Sequence, residues 1–144
     1  MKMNSENIIT QLSIFVNNEP GRLASVAKLI GECGINMKAF NLAESTEFGI
    51  LRAIVDDPDN AYDLLRANGV IVKKTEVIGV VIDDAPGSIF DAAELCGKEN
   101  INIEYGYAYT GRSTAAFFIR VDDPVKAVDA LDNAGIRLIK KSEV

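Results

Sequence analysis

Two kinds of apolar pattern alternate along the chain. Runs rich in β-branched residues, IITQLSIFV (8–16) and VIGVVID (77–83), read as strands. Each is followed by a segment whose apolar residues recur at i, i+3, i+4 and i+7: Leu23, Val26, Ala27 and Ile30, then Ile89, Ala92, Ala93 and Cys96. That spacing predicts one apolar helical face in each segment, with Gly34 and Asn100 as the stop signals. Two further strand-like runs come next, INMKAFNLAE (35–44) and FGILRAIV (48–55), and later INIEYGYAYT (101–110) and TAAFFIRV (114–121). The polar turns STE and GRS make each pair a hairpin. A second helix opens at Asp57-Pro58 and at Asp123-Pro124, where Asp is a good N-cap and Pro suits the first helical position. Its apolar face is Ala61, Leu64 and Leu65, and later Ala127, Ala130 and Leu131. Gly69 and Gly135 end these helices, and VIVKKTEV (70–77) and IRLIKKSEV (136–144) supply a final strand.

The second set of elements restates the first. An offset of 66 carries Pro20-Gly21 to Pro86-Gly87, Ile35-Asn36 to Ile101-Asn102, Asp56-Asp57-Pro58 to Asp122-Asp123-Pro124, and Gly69 to Gly135. Internal repetition decides architecture before any single element does, and two copies fit a duplicated small domain. The order β-α-β-β-α-β, twice, predicts an α+β chain of two ferredoxin-like units, each an antiparallel sheet with both helices on one face. The expected domains are residues 1–76 and 77–144, with no linker between them, packed as a pseudo-dimer. Units of about 70 residues have marginal cores, so extending a sheet into the other unit or into a second chain would add stability.

Composition narrows the function. The chain of 144 residues is 48% hydrophobic and 25% charged, with a mean hydropathy of +0.10, as in an ordinary globular protein. A net charge of −6 argues against a partner held by its phosphate backbone, so no nucleic acid is expected. No apolar run approaches a membrane span and the N-terminus lacks signal-peptide features, so the expected setting is the cytoplasm. The chain has no histidine, which removes the commonest general base and transition-metal ligand together. Cys33 and Cys96 form no metal or redox motif, and Cys96 on its helix face reads as a small buried hydrophobe. The pairs Asp56-Asp57 and Asp122-Asp123 are poor cages for a cation and good helix caps. Neither a metal nor a cofactor is expected, nor a catalytic role.

The first helix of each copy follows Glu19-Pro20 or Ala85-Pro86, and neither Glu nor Ala is a preferred N-cap. With Pro at the first helical position, the N–H groups of Gly21 and Arg22, and of Gly87 and Ser88, would lack a side-chain acceptor. Such a helix start accepts a carboxylate, and the adjoining glycine lets a ligand approach closely. Alternatively, Asn18 and Asp84 cap these helices through Asx-type turns and leave nothing for a ligand.

The pattern N-x-P-G-x-L (Asn18 to Leu23), a helix and then Ile35-Asn36 resembles the ACT domain, a regulatory module that binds amino acids. D-x-P-G-x-I (Asp84 to Ile89) followed by Ile101-Asn102 resembles it again. The resemblance implies side-by-side pairing of domains through sheet edges, with the ligand near that interface. It also implies contacts from Asn18, Pro20, Gly21, Arg22, Leu23 and Asn36, and from Asp84, Pro86, Gly87, Ser88, Ile89 and Asn102. The expected function is a regulatory protein that senses an amino acid and modulates its own association, as a homodimer, or a partner biosynthetic enzyme. The alternative is a ligand-independent assembly module or regulatory subunit working through its sheet edges. Tyr105, Tyr107 and Tyr109 alternate along one strand and continue the side of Ile101 and Ile103 unless a bulge at Gly106 intervenes. They suit a cross-strand stripe or a pocket wall.

Overall fold

A computed structural model describes residues 5–44, 48–83, 86–110 and 114–144. The turns STE and GRS, and with them Asp84 and Ala85, lie outside the described residues. Two compact units result, residues 10–75 and residues 76–144 together with the N-terminal segment to Ile9. Among the described residues no helix is long and apolar enough to cross a membrane.

The first unit contains β1 (Ile9–Asn17), α1 (Arg22–Glu32), β2 (Met37–Glu44), β3 (Phe48–Val55), α2 (Pro58–Ala67) and the beginning of β4 (Val72–Ile82). Strand order is β2-β3-β1-β4. Both β1 and β2 run antiparallel to β3, in registers that pair Leu12 with Ala53 and Leu42 with Leu51. β4 joins through the Phe15 N–H, which donates to Ile71 O at 2.9 Å, and through a 3.0 Å hydroxyl contact between Ser13 and Thr75. Leu12, Ile14 and Val16 of β1 and Leu51, Ala53 and Val55 of β3 form one face. Ile30 of α1 and Ala61 and Leu65 of α2 cover it, so both helices lie on the same side.

The capping signals act as their chemistry dictates. The Asp57 carboxylate accepts the Asn60 N–H at 3.2 Å, and the Asp123 carboxylate accepts the Lys126 N–H at 3.1 Å, each beside a first-turn proline. Asn100 closes its helix in the left-handed region at φ 58°, and the next N–H, of Ile101, donates back to Cys96 O at 2.8 Å. The first-helix faces are rotated from expectation. Val26, Leu29 and Ile30 face the core while Leu23 and Ala27 remain exposed; Ala92, Leu95 and Cys96 do so while Ile89 and Ala93 are exposed. Each sequence contains two overlapping i, i+3, i+4 stripes, and only packing against the sheet chooses between them.

The second unit contains the rest of β4, α3 (Phe90–Lys98), β5 (Ile103–Thr110), β6 (Ala115–Val121) and α4 (Pro124–Asn133), in the order β4-β6-β5. Ile78, Val80, Ile119 and Val121 meet Ala92 and Cys96 of α3 and Ala127, Val128 and Leu131 of α4. The expected last strand, residues 136–144, is reduced to a bridge between Val80 and Leu138. It makes two flanking bonds, Val81 N–H to Arg137 O at 2.9 Å and Ile139 N–H to Gly79 O at 2.7 Å. The chain then turns into a 3-10 segment, Lys141–Glu143. There the Glu143 carboxylate accepts from the Lys140 N–H at 2.9 Å and from Arg137 at 2.7 Å, which competes with extended pairing.

A bulge recurs in both units. The registers Met37 with Val55 but Ala39 with Ile54, and Ile103 with Val121 but Tyr105 with Arg120, each insert one extra residue, Lys38 or Glu104. This shift moves Tyr105, Tyr107 and Tyr109 to the face opposite Ile103. Tyr107 and Tyr109 lie there in tilted contact with Phe118, at ring-centroid distances of 6.0 Å and 6.4 Å.

The two thiols report on different units. Cys33 is half-buried, whereas Cys96 is buried. Burial, with a smaller push from the Asp122 carboxylate, raises the Cys96 thiol above its ordinary range. Folding thus favours the protonated thiol, a contribution present below about pH 8.5 and lost as pH rises through the folded value. An alkylating reagent at neutral pH should modify Cys33 first and Cys96 only on unfolding. Intact-mass analysis of a labelling time course checks this, and simultaneous labelling would contradict the burial of Cys96.

Candidate functional site

At the end of β1 the chain makes two tight turns in succession. The Glu19 N–H donates to Asn17 O at 2.8 Å, and the Arg22 N–H donates to Glu19 O at 3.2 Å. Between the latter pair lie Pro20 and Gly21, with Gly21 at φ 86° and ψ −11°. Proline second and a positive-φ glycine third define a type II turn, which accounts for the dipeptide. Pro20 is therefore in the turn, not at the first helical position, and Arg22 opens the helix with Gly21 as its N-cap. Gly21 is the N-cap and among the described residues no side chain caps this helix, so Asn18 does not serve as its N-cap. Gly21 O accepts from the Ser25 N–H and from the Ser25 hydroxyl, both at 3.1 Å, while the N–H groups of Leu23 and Ala24 have no partner among the described residues.

Below this turn lies a hollow of about 340 Å³ lined by Val16, Asn17, Asn18, Glu19, Leu23, Leu42, Glu44 and Gly49. Its origin is visible in the register. Val16 pairs with Gly49 and Gly49 with Glu44, so one row across three strands has no side chain at its centre. A Cβ on Gly49 would stand 3.5 Å from Val16 O and 3.6 Å from Leu42 Cδ1, ordinary contact distances that leave the space above open. The volume is at the lower end of the range, about 300–1,000 Å³, typical of small-molecule sites. Two carboxylates stand at the rim, Glu19, held by Arg22 at 3.3 Å, and Glu44.

Of the expected contact residues, Asn18 and Leu23 line the hollow, while Pro20, Gly21 and Arg22 shape the turn above it. Asn36 lies elsewhere in this unit. Its amide donates to Asp56 at 3.4 Å where Met37 meets Val55, at the opposite end of the sheet from the row of Val16 and Glu44. Asn102 repeats the tie, its backbone N–H donating to the Asp122 carboxylate at 3.0 Å. The repeated Ile-Asn thus anchors the start of each edge strand to an Asp ahead of the next helix.

The second turn is built differently. Gly87 has φ 78°, and its carbonyl accepts from the Phe90 N–H at 3.0 Å, so Ser88 and Ile89 form an extra turn before α3. Ile89 occupies the N-cap there without a side-chain bond. Asp84, also expected at this site, lies outside the described residues. The row equivalent to Val16, Gly49 and Glu44 is Ile82, Ala115 and Thr110, which supplies a methyl at the centre and no carboxylate. The two loops are chemically unequal. Glu19, Leu42, Glu44 and Gly49 were not among the expected contact residues. The only signal for them was Gly49 itself, an isolated glycine inside a strand pattern, which marks a close approach or a gap.

Among the described residues no group of three acidic or thiol side chains is placed to hold a metal. No curated protein matches the chain. Protein BT0572 from Bacteroides thetaiotaomicron, of known crystal structure, is similar at 34% identity and a TM-score of 0.88, over 95% of each chain. The ligand-free regulatory subunit of aspartate kinase from Thermus thermophilus is similar at 18% identity and a TM-score of 0.58, over 87% of this chain and 91% of that one. Its counterpart from Thermus flavus gives 15% and 0.58, over 90% and 93%. At these lower identities the likeness is one of fold. A family model for an ACT domain pair matches residues 7–144, and with the duplicated fold this places the chain in the ACT domain pair family.

Proposed function

We propose that the chain is a non-catalytic regulatory protein that binds a small amino acid, or a related carboxylate, in the hollow of residues 10–75. Binding then changes the protein's association or its contact with a partner enzyme. The observation carrying this reading is the hollow itself, opened by Gly49 directly beneath an uncapped helix start. The N–H groups of Leu23 and Ala24, without a partner among the described residues, suit a carboxylate, the Asn18 amide oxygen and the Glu44 carboxylate suit an ammonium, and Val16, Leu23 and Leu42 offer an apolar wall. The names of the Thermus structures, regulatory subunits of a kinase, favour the same reading. The unequal rows make the loop at Pro86, Gly87, Ser88 and Ile89 a different or weaker site. A ligand acts only through its differential affinity for two states.

Thermal-shift measurements with each standard amino acid, followed by calorimetry, test this. A selective ligand should stabilise the protein by about 2.7 kcal/mol at a hundredfold excess over Kd. No shift at millimolar ligand, with the protein well folded, would overturn the sensor reading and favour an assembly module.

A further inference from the structure

The sheet of residues 10–75 carries α1 and α2 on one face. On the opposite face the registers line up an apolar row: Ala43 pairs with Ile50, Ile50 pairs with Phe15, and the Phe15 N–H reaches Ile71 O at 2.9 Å. Strand alternation puts Ile71, Lys73 and Thr75 on this face, since Val72 joins the helix-side core and Lys74 reaches Asp59 of α2 at 2.7 Å. Phe48, paired with Asn17, lies against Phe15 with ring centroids 6.4 Å apart and planes at 85°. Phe48 is 40% exposed and Ile71 66% exposed, while Phe15, Ile50 and Ala43 are half-buried. Solvated apolar bulk gathered along one row, rather than scattered singly, marks an interaction surface.

Charge on this face has one sign. Arg52, whose register neighbours are Ser13 and Asn41, and Lys73 both lie on it beside the apolar row. Glu44 is the single carboxylate among the described strand residues of this unit, and it stands in the wall of the hollow on the helix-bearing face. In a chain of net charge −6 this is a local reversal. The second unit does not repeat it. Tyr109, Ala116 and Val81 form the equivalent row, with Arg137 O accepting the Val81 N–H. Ala116 is fully buried there, Arg137 replaces Ile71 and is held by Glu143 at 2.7 Å, and Thr114 replaces Phe48.

We propose that this sheet face docks an acidic, apolar segment of a partner protein. The segment's large apolar side chains lie on Phe15, Phe48, Ile50 and Ile71, and its carboxylates lie beside Lys73 and Arg52. Charge chooses the occupant. Aromatic and aliphatic bulk beside cations matches a segment that mixes apolar and acidic residues, and complementary potential fixes partner choice and orientation. A second copy of the chain applied by the same face would bring only cations against cations. Single-stranded nucleic acid also stacks on aromatic rings, but the cations of this face, in a chain of charge −6, leave its phosphates largely unneutralised. The surface gives the partner contact of the proposed function a place, and to that extent rests on that reading. It also lies directly behind the hollow. Val16, Gly49 and Glu44 of the hollow are chain neighbours of Phe15, Phe48, Ile50 and Ala43, so one layer of backbone separates ligand from partner.

The test uses the intact chain without added amino acid. Selection of a phage library of random linear peptides against the immobilised protein should return sequences enriched in Asp and Glu together with Leu, Phe or Trp. The affinity of a synthetic selected peptide, read by fluorescence anisotropy, should fall at least about tenfold in Ile71→Asp, in Phe48→Ala and in Lys73→Glu, and should weaken as salt rises. Ile71 and Lys73 are exposed, so their substitution leaves the core untouched, and Val125→Ala, at an exposed position of the other unit, should bind as the parent does. No enrichment, enrichment of basic peptides, affinity unchanged in both Ile71→Asp and Lys73→Glu, or tighter binding of an oligothymidylate probe than of the selected peptide would each overturn the proposal. Thermal shift with amino acids is a separate measurement, so failure of this surface and failure of the sensor reading are told apart.

Discussion

Leu65→Ala and Leu131→Ala should each destabilise the unit that contains them by about 3 kcal/mol, the middle of the range for a buried Leu cut to Ala. The two leucines are repeat equivalents on α2 and α4, fully buried, each among more than half a dozen apolar residues from strands and helices. For units of this size the loss lowers Tm by roughly 12 °C or more. Denaturant unfolding combined with thiol labelling separates the units, because Cys33 lies in the one with Leu65 and Cys96 in the one with Leu131. Val125→Ala, on the exposed side of α4, serves as the control and should stay within about 0.5 kcal/mol. A loss below about 1 kcal/mol at either leucine would show that its core is not packed as described.

Gly49→Leu should abolish amino-acid binding, weakening it at least about a hundredfold, while the fold persists. Gly49 is not in the positive-φ region, and its nearest neighbours to an added Cβ stand at 3.5–3.8 Å, so a side chain is accepted by the backbone and directed into the hollow. Ala115 already occupies the equivalent register position in the second unit. Gly49→Ala adds one methyl and should weaken binding by about 10- to 200-fold, since a missing or added methylene is worth about 1–3 kcal/mol in a pocket. Calorimetry on a ligand identified by thermal shift decides the matter, with circular dichroism confirming the fold. Undiminished affinity in Gly49→Leu would place the ligand elsewhere. Gly21 is a less discriminating position. At φ 86° any other residue strains the turn, although nothing lies within 4 Å of its Cβ, so a loss there would mix backbone strain with a lost contact.

Much of the site was half legible. Pro20-Gly21 marked where β1 gives way to α1, although Pro20, expected at the first helical position, sits in the turn before it. The identity of the wall was not legible, since Leu42, Glu44 and Gly49 reach the loop only through strand register. Asn36 and Asn102 lie apart from the hollow within their own units. A motif repeated with the Pro-Gly turn suggested a shared site, yet within its own unit Asn36 reaches Asp56 at the far end of the sheet, and Asn102 meets Asp122 in the same way.

By itself the sequence determined the duplication, the order of elements in each unit up to the last strand of the second, the Asp-Pro caps, the positions of the helix stops and the family. These follow from local rules: periodicity, N-cap chemistry, the conformational freedom of glycine and the tolerance of Asn for the left-handed region. Only the tertiary structure decided which of two overlapping stripes each first helix buries, which face the tyrosines occupy after a one-residue bulge, and why residues 136–144 make a bridge rather than a strand. It also decided where a missing side chain leaves a hollow and which sheet face carries exposed bulk. Each depends on register between segments far apart in sequence, and a one-residue shift in register reverses every face while leaving the local pattern unchanged.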